Sequence, residues 1–434
     1  MKFVQNIFDL LRRKKNIIFI NNEEYSKFYV SNFFVKYKIL LTIKKTHKKV
    51  IEGKPIKVAL LMQYSSSTQF LPLFNLLLQD NHFDPYIIVN IDNYRDIKFT
   101  KEKYAECYNN LVNIYSKNRV LSSYNNTTNQ TLDLLSGFDL ILCSNPYDVM
   151  AHPIYQIVNM SKRGLPVLMS EYGYSGRTKY ESQIYKLKSE KFIWKHYVEN
   201  NFTKEYMQTF GITKDRIVVS GYSKMDPLFN KEKSSNNMST KTIIIAPHHT
   251  IIPNSTIFLG SFLSYCDLLL DLPVIFPDIS FIFRPHPLLK YELFKIWGQE
   301  KTINYYNIIS SFSNVTYQSG GDYLDTFADS DAMIHDCGSF LAEYLYTDNP
   351  QCYLFSSKDD YNIKADQFLP LGKQMLNSIY KSYSHSDIIK FINMIKNEED
   401  PKKQDRIKFA KENIRINYPN ATQIMFEDIK NIYF

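Results

Sequence analysis

Three segments of this 434-residue chain each run from an apolar stretch into residues that can handle phosphate or protons. The first is Ser330 to Pro350, SDAMIHDCGSFLAEYLYTDNP. Ala332 to Ile334 suits a buried strand, and His335-Asp336-Cys337-Gly338-Ser339 a polar turn. Phe340, Leu341, Tyr344 and Leu345 follow at helical spacing, which puts Ser339 at the helix N-cap. A helix entered through Gly338 and Ser339 presents free N–H groups and the positive end of its dipole. That end favours a phosphate. Glu343 lies one turn further on the same face and could reach a ribose hydroxyl. A capped strand–turn–helix without a ligand fits the same residues.

The second segment is Ile279 to Phe283, a strand pattern running into Arg284-Pro285-His286-Pro287. Polar groups of open α/β sheets gather just beyond the carboxyl ends of strands. Arg284 offers a planar fork of donors suited to phosphate. His286 ordinarily titrates near neutrality, and the flanking prolines stiffen its presentation. The third segment, Thr242 to Ile245, ends in Ala246-Pro247-His248-His249-Thr250. Any one of these histidines is explained by a satisfied polar loop. The three strand ends together favour a site.

The order APHHT, FRPHP, SDxxIHDCGSFxxEYLxTxxP resembles the nucleotide-binding half of the CDP-glycerol glycerophosphotransferases, the teichoic acid and capsule polymerases among them. Upstream, Ser220-Gly221-Tyr222-Ser223-Lys224-Met225-Asp226 is similar to the family's G-x-P-[RK]-x-D segment, with Ser223 in place of Pro. The resemblance spans roughly residues 165–355 and rests on motif order. It implies a GT-B fold: two doubly wound, Rossmann-like α/β domains facing a cleft, the donor nucleotide held by the second. It assigns Arg284, His248, His249, Asp336, Gly338, Ser339 and Glu343 to the donor, and His286 to the leaving group. It requires no cofactor and leaves a divalent cation open; no metal ligand set is assigned.

The chain departs from the family in one place. Family members often carry a His-Gly pair after a strand of the first domain, the His being a candidate base. Here the stretch is Pro166-Val167-Leu168-Met169-Ser170-Glu171-Tyr172-Gly173. Tyrosine, with an ordinary pKa of about 10, is a poor base. Glu171 is the better candidate, since partial burial tunes a carboxylate upward. Tyr172 and Gly173, with Ser66 and Ser67 after the first strand, are the acceptor-side candidates. The Ser65–Thr68 cluster lacks the glycine spacing of a phosphate loop, so it reads first as an ordinary βα loop.

Charge is unevenly placed. Residues 1–57 hold fourteen Lys/Arg and four Asp/Glu, whereas the whole chain carries +8. The excess therefore sits in an N-terminal arm. Phe3, Val4, Ile7, Phe8 and Leu11 precede Arg12-Arg13-Lys14-Lys15, and Phe28 to Ile43 mixes apolar residues with Lys36 and Lys38. Such stripes fit a helix lying on an anionic membrane surface. A helix packed on the domains fits too. No nucleic-acid module is visible. No apolar run approaches the roughly 18 residues of a span, and no secretory signal is evident. Five scattered cysteines without CxxC spacing indicate reduced thiols. These features predict a cytoplasmic protein, peripheral on the inner face of the cell membrane.

At 434 residues the chain exceeds the single-core limit of about 250–300. Alternating strand and helix patterns predict five units: a basic arm (1–54), an acceptor domain (55–230), a polar linker (231–241), a nucleotide domain (242–400) and C-terminal helices that could cross back (401–434). The expected activity is transfer of a polyol-phosphate unit from a CDP-linked donor to a hydroxyl of a glycan or lipid-linked acceptor, releasing CMP. A nucleotide-sugar glycosyltransferase, a UDP-N-acetylglucosamine epimerase-like enzyme and a non-catalytic scaffold are the alternatives.

Overall fold

The structure, a computed structural model, describes residues 23–65, 68–176, 178–233, 240–253 and 257–434, with side-chain detail from Phe33 onward. The basic stripe over residues 3–15 lies outside the described residues.

The N-terminal half is built on seven parallel strands: β1 (Ile56–Met62), β2 (Phe83–Val89), β3 (Val120–Ser122), β4 (Leu140–Cys143), β5 (Val167–Met169), β6 (Lys195–Val198) and β7 (Ile217–Val219). Their order in space is β3-β2-β1-β4-β5-β6-β7. Strands buried on both faces read as continuous apolar runs, and IKVALLM is one. Its alternate residues feed two cores. Val58, Leu60 and Met62 meet Phe70, Leu73, Phe74 and Leu77 on one face. Ala59 and Leu61 meet Tyr155, Ile157 and Met160 on the other.

Helix α1 (Glu23–Ile51) covers that second face through buried Val35 and Ile39. Asp139 ties it down, accepting from Thr46 Oγ1 at 3.1 Å and Lys49 Nζ at 2.7 Å. The outward face carries Phe34, Tyr37, Leu40 and Leu41, all about half exposed. Among the described residues no helix is long and apolar enough to cross a membrane.

The second sheet has six parallel strands: β8 (Thr242–Ala246), β9 (Ser280–Phe283), β10 (Val315–Tyr317), β11 (Ala332–His335), β12 (Gln351–Leu354) and β13 (Tyr380–Ser382), in the order β10-β9-β8-β11-β12-β13. Both sheets thus reverse direction beside their first strand, which is where doubly wound sheets open a binding crevice. β8 is central, and its register is Ile245↔Phe283 on one side and Ala246↔His335 on the other. The segments leaving β8, β9 and β11 therefore emerge level with one another.

The halves are stitched together near residue 221. Gly221 has φ +92°, and a Cβ there would lie 2.2 Å from the Ile416 carbonyl oxygen, so no side chain fits. Ser223 Oγ donates to the Gln69 carbonyl at 2.7 Å. The helix Ala421–Tyr433 returns to the first sheet, burying Met425, Ile429 and Tyr433 in the core over β1.

Candidate active site

Strand register brings three imidazoles together. His248 and His249 leave β8, and His286 leaves β9 two residues after Arg284. Ring centroids are 4.5 Å apart for His248–His249, 4.9 Å for His248–His286 and 4.2 Å for His249–His286. All three are partly buried.

Backbone and polar contacts fix the rings. His286 N–H donates to the Pro247 carbonyl at 2.9 Å, locking the β9 exit to the β8 exit. His286 Nδ1 accepts the Leu288 N–H at 3.1 Å. A neutral imidazole that accepts on Nδ1 keeps its hydrogen on Nε2. His248 Nδ1 lies 2.9 Å from Thr250 Oγ1. Asp336, fully buried at the end of β11, accepts the His248 and Ser261 N–H groups, one per oxygen, each at 2.5 Å. It thus shapes the histidine loop. Burial pushes its pKa up to about 6.

Burial also disfavours the charged forms of His249 and His286. It pushes His249 down to about 4; Glu292 opposes this and Arg95 adds to it. His286 is driven well below its usual range by burial, then by His249 and Arg95. One ring nitrogen from each histidine falls within 4.8 Å of the others, close enough for a divalent cation. The Leu288 bond argues otherwise. It leaves His286 Nε2 as a donor, and a donor suits a phosphate oxygen.

Arg284 is buried. Its Nη1 donates to Gln318 Oε1 and its Nη2 to the Gly321 carbonyl, both at 2.6 Å, and the guanidinium lies 5.6 Å from the Tyr323 ring centre. Glu343 is buried too, and its oxygens accept the Tyr222 and Tyr323 hydroxyls at 2.5 Å each. Burial and the Glu343 charge drive both phenols well above their usual range. Helix Gly338–Glu343 is capped by Cys337, so Ser339 sits inside the first turn and not at the cap. The shift has a local cause: β11 continues through His335, whose Nδ1 accepts the Cys337 N–H at 3.2 Å and closes the turn early. Ser339 is partly exposed and Gly338 buried.

On the first domain, Glu171 follows β5 and is partly buried. Its carboxyl is held well above the usual range by burial and by Glu190, Glu181 and Glu199, all three buried. No hydrogen bond or ion pair links Glu171 to the histidines among the described residues. Tyr172 is 42% exposed, its N–H donating to the Ser144 carbonyl at 3.2 Å. Gly173 adjoins it, and Ser66 and Ser67 lie outside the described residues.

Three residues that no motif marked also belong to this region. Beyond β2, Asp92 is buried and accepts the Tyr64 hydroxyl at 2.6 Å. Arg95 Nη1 donates to Asp92 Oδ2 at 2.8 Å and to the Tyr64 oxygen at 2.7 Å. Their signal was positional only, a polar cluster past a strand end. A cleft of about 420 Å³ opens beside the same loop, lined by Ile91, Asn93, Tyr124, Asn129, Gln130 and His152.

The family model of the CDP-Glycerol:Poly(glycerophosphate) glycerophosphotransferases matches residues 168–429. Among solved structures, the wall teichoic acid polymerase TagF superposes with a TM-score of 0.56 at 14% identity, over 99% of this chain and 98% of that one. A putative UDP-N-acetylglucosamine 2-epimerase from Listeria monocytogenes gives 0.57 at 13% identity, over 87% and 96%. The UDP-GlcNAc 2-epimerase from Neisseria meningitidis, bound to UDP-GlcNAc, gives 0.55 at 16% identity, over 87% and 100%. At such identities the likeness is one of fold, and the fold is the GT-B type. No curated protein matches the chain.

Proposed function

The chain belongs to the CDP-glycerol:poly(glycerophosphate) glycerophosphotransferase family, and from that premise we propose that it moves a glycerol-phosphate-like unit from a CDP-linked donor to a hydroxyl of a glycan or lipid-linked acceptor, releasing CMP. The observation that carries this reading is the level emergence of three clustered imidazoles from β8 and β9, with His286 presenting Nε2–H.

The acceptor oxygen attacks the phosphorus that bears the polyol. A new P–O bond forms, the bridging P–O bond breaks, and CMP leaves with the electron pair. The acceptor proton passes to a base. His286 Nε2–H donates to the bridging oxygen or to the CMP phosphate as charge gathers there. His248 and His249 line the same pocket. Ser339 and the first-turn N–H groups after Gly338 offer further donors. Asp336 positions His248, and Glu343 positions Tyr323 under Arg284. Glu171 is the proposed acceptor-side base, with Tyr172 and Gly173 beside it. Only its ionised form can accept a proton, and its raised pKa means that this form grows with pH, so activity should rise with pH.

The outward face of α1 supports peripheral association with an anionic membrane on the cytoplasmic side. Phe34, Tyr37, Leu40 and Leu41 would enter the headgroup region, and Lys44, Lys45 and Lys48 would meet its charge.

Calorimetry with CDP-glycerol, UDP-N-acetylglucosamine and CMP, followed by a CMP-release assay, tests the activity. Tight binding of the cytidine nucleotides is the expected result. Affinity for the uridine sugar alone would overturn it in favour of a nucleotide-sugar enzyme.

A further inference from the structure

We propose that Arg95, on the loop after β2, is the first domain's ligand for the donor diphosphate, so that the two domains grip one diphosphate from opposite sides. The proposal rests on the transferase reading above and adds a residue that no motif of the second domain supplies.

Arg95 is anchored through one end of its guanidinium. Asp92 and the Tyr64 hydroxyl both engage Nη1, and the guanidinium rests 5.6 Å from the Tyr64 ring centre. Nη2 and Nε make no hydrogen bond to any described residue. The side chain is 36% exposed while its Asp92 partner is 2% exposed. An arginine anchored at one corner, with its remaining donors open to solvent, has little ordering left to lose when a phosphate arrives.

Its position faces the histidines. Phe99, at the start of the helix Ile97–Tyr115, packs edge-on against Tyr291 at 5.3 Å. Tyr291 lies near the start of Leu289–Ser311, the helix that follows His286. The loop bearing Arg95 is thereby joined to the helix that follows His286, and its charge bears on both His249 and His286. At neutral pH and above, uncharged His249 and His286 donate hydrogen bonds but neutralise nothing. A diphosphate carries at least two negative charges there, and Arg284 is tied to Gln318, Gly321 and Tyr323. Arg95 brings a cation with unspent donors.

The test is calorimetry on the full chain with inorganic pyrophosphate and with CDP-glycerol. Arg95→Gln keeps a donor for Asp92 and removes the charge; Arg95→Lys keeps the charge and removes the fork. Losing a charge-assisted contact should weaken both ligands by about ten- to a hundredfold in Arg95→Gln, with Arg95→Lys between. Melting temperatures confirm that both variants fold, and the lysine variant carries the comparison if the glutamine variant does not. Equal affinities in wild type and variants, or no pyrophosphate binding by the wild type, overturn the proposal. If CDP-glycerol binds equally well in all three proteins, Arg95 is wrong and the transferase reading stands. If pyrophosphate binding depends on Arg95 but no cytidine nucleotide binds, the transferase reading falls and the diphosphate site remains.

Discussion

Donor binding should draw a proton onto His249, and the size of the effect follows from its environment. In the free protein burial holds this imidazole at about 4, against an ordinary 6.5. A base with a depressed pKa is neutral at any pH well above that value. A diphosphate diester has no group titrating between about pH 5 and 8, so any proton taken up in that window must go to the protein. If the bound dianion restores His249 to its ordinary pKa, binding gains RT ln[(1 + 10^(6.5 − pH))/(1 + 10^(4 − pH))]. At about pH 5.5 that is close to 1.4 kcal/mol, a tightening of about tenfold, with uptake of about 0.9 proton. At about pH 7.5 it is close to zero. Titrations in buffers of different ionisation heat measure both quantities directly. The same depression gives the free protein an acid weakness. The unfolded chain binds the proton first, so stability is lost as pH falls from 6.5 towards 4, by up to about 3 kcal/mol. Equal affinities at the two pH values would refute the reasoning, and so would proton uptake that survives in His249→Gln.

Four further outcomes are expected. His286→Ala should lower kcat/KM by about 10²–10⁴-fold; because the wild-type ring is already neutral, activity should not fall on its account between about pH 7 and 8.5, as a pH–rate profile will show. Glu171→Gln should reduce turnover with donor affinity unchanged, and Glu190→Gln, by removing one like charge, should move the acidic limb of the pH–rate profile to lower pH. Tyr222→Phe leaves the buried Glu343 short of one donor and should cost about 1–3 kcal/mol in urea unfolding. Leu41→Glu on the outward face of the helix Glu23–Ile51 should weaken pelleting with phosphatidylglycerol vesicles. Wild-type binding should fade as the Debye length shrinks from about 10 Å at 0.1 M salt to about 3 Å at 1 M.

Strand ends were the legible part of this chain. APHHT and FRPHP are each an apolar run meeting a stiff polar exit, and parallel pairing does the rest by setting those exits level. The helix cap was misread by two residues. Ala332–Ile334 looked complete without His335, and only the fully buried His335 bond to Gln351 Oε1 at 2.7 Å shows why a polar residue extends the strand. Glu343 looked like a ribose ligand on helical spacing. Its partner Tyr222 lies 121 residues away, a pairing that no local pattern encodes. Arg95 was silent for a similar reason: its meaning comes from Tyr64 and from a cluster in the other domain.

The return of the helix Ala421–Tyr433 to the first sheet has a consequence for how the chain is made. β7 closes that sheet at Val219, yet Met425, Ile429 and Tyr433, which seal its core, are about two hundred residues further on. At a synthesis rate of 5–20 residues per second, the gap is roughly 10–40 s. Throughout that interval the apolar face of β1 and the helix Leu71–Gln79 waits without its cover, while the whole second domain emerges and folds. The order of synthesis and the order of completion are therefore opposed, and the earlier domain is the later one to be finished.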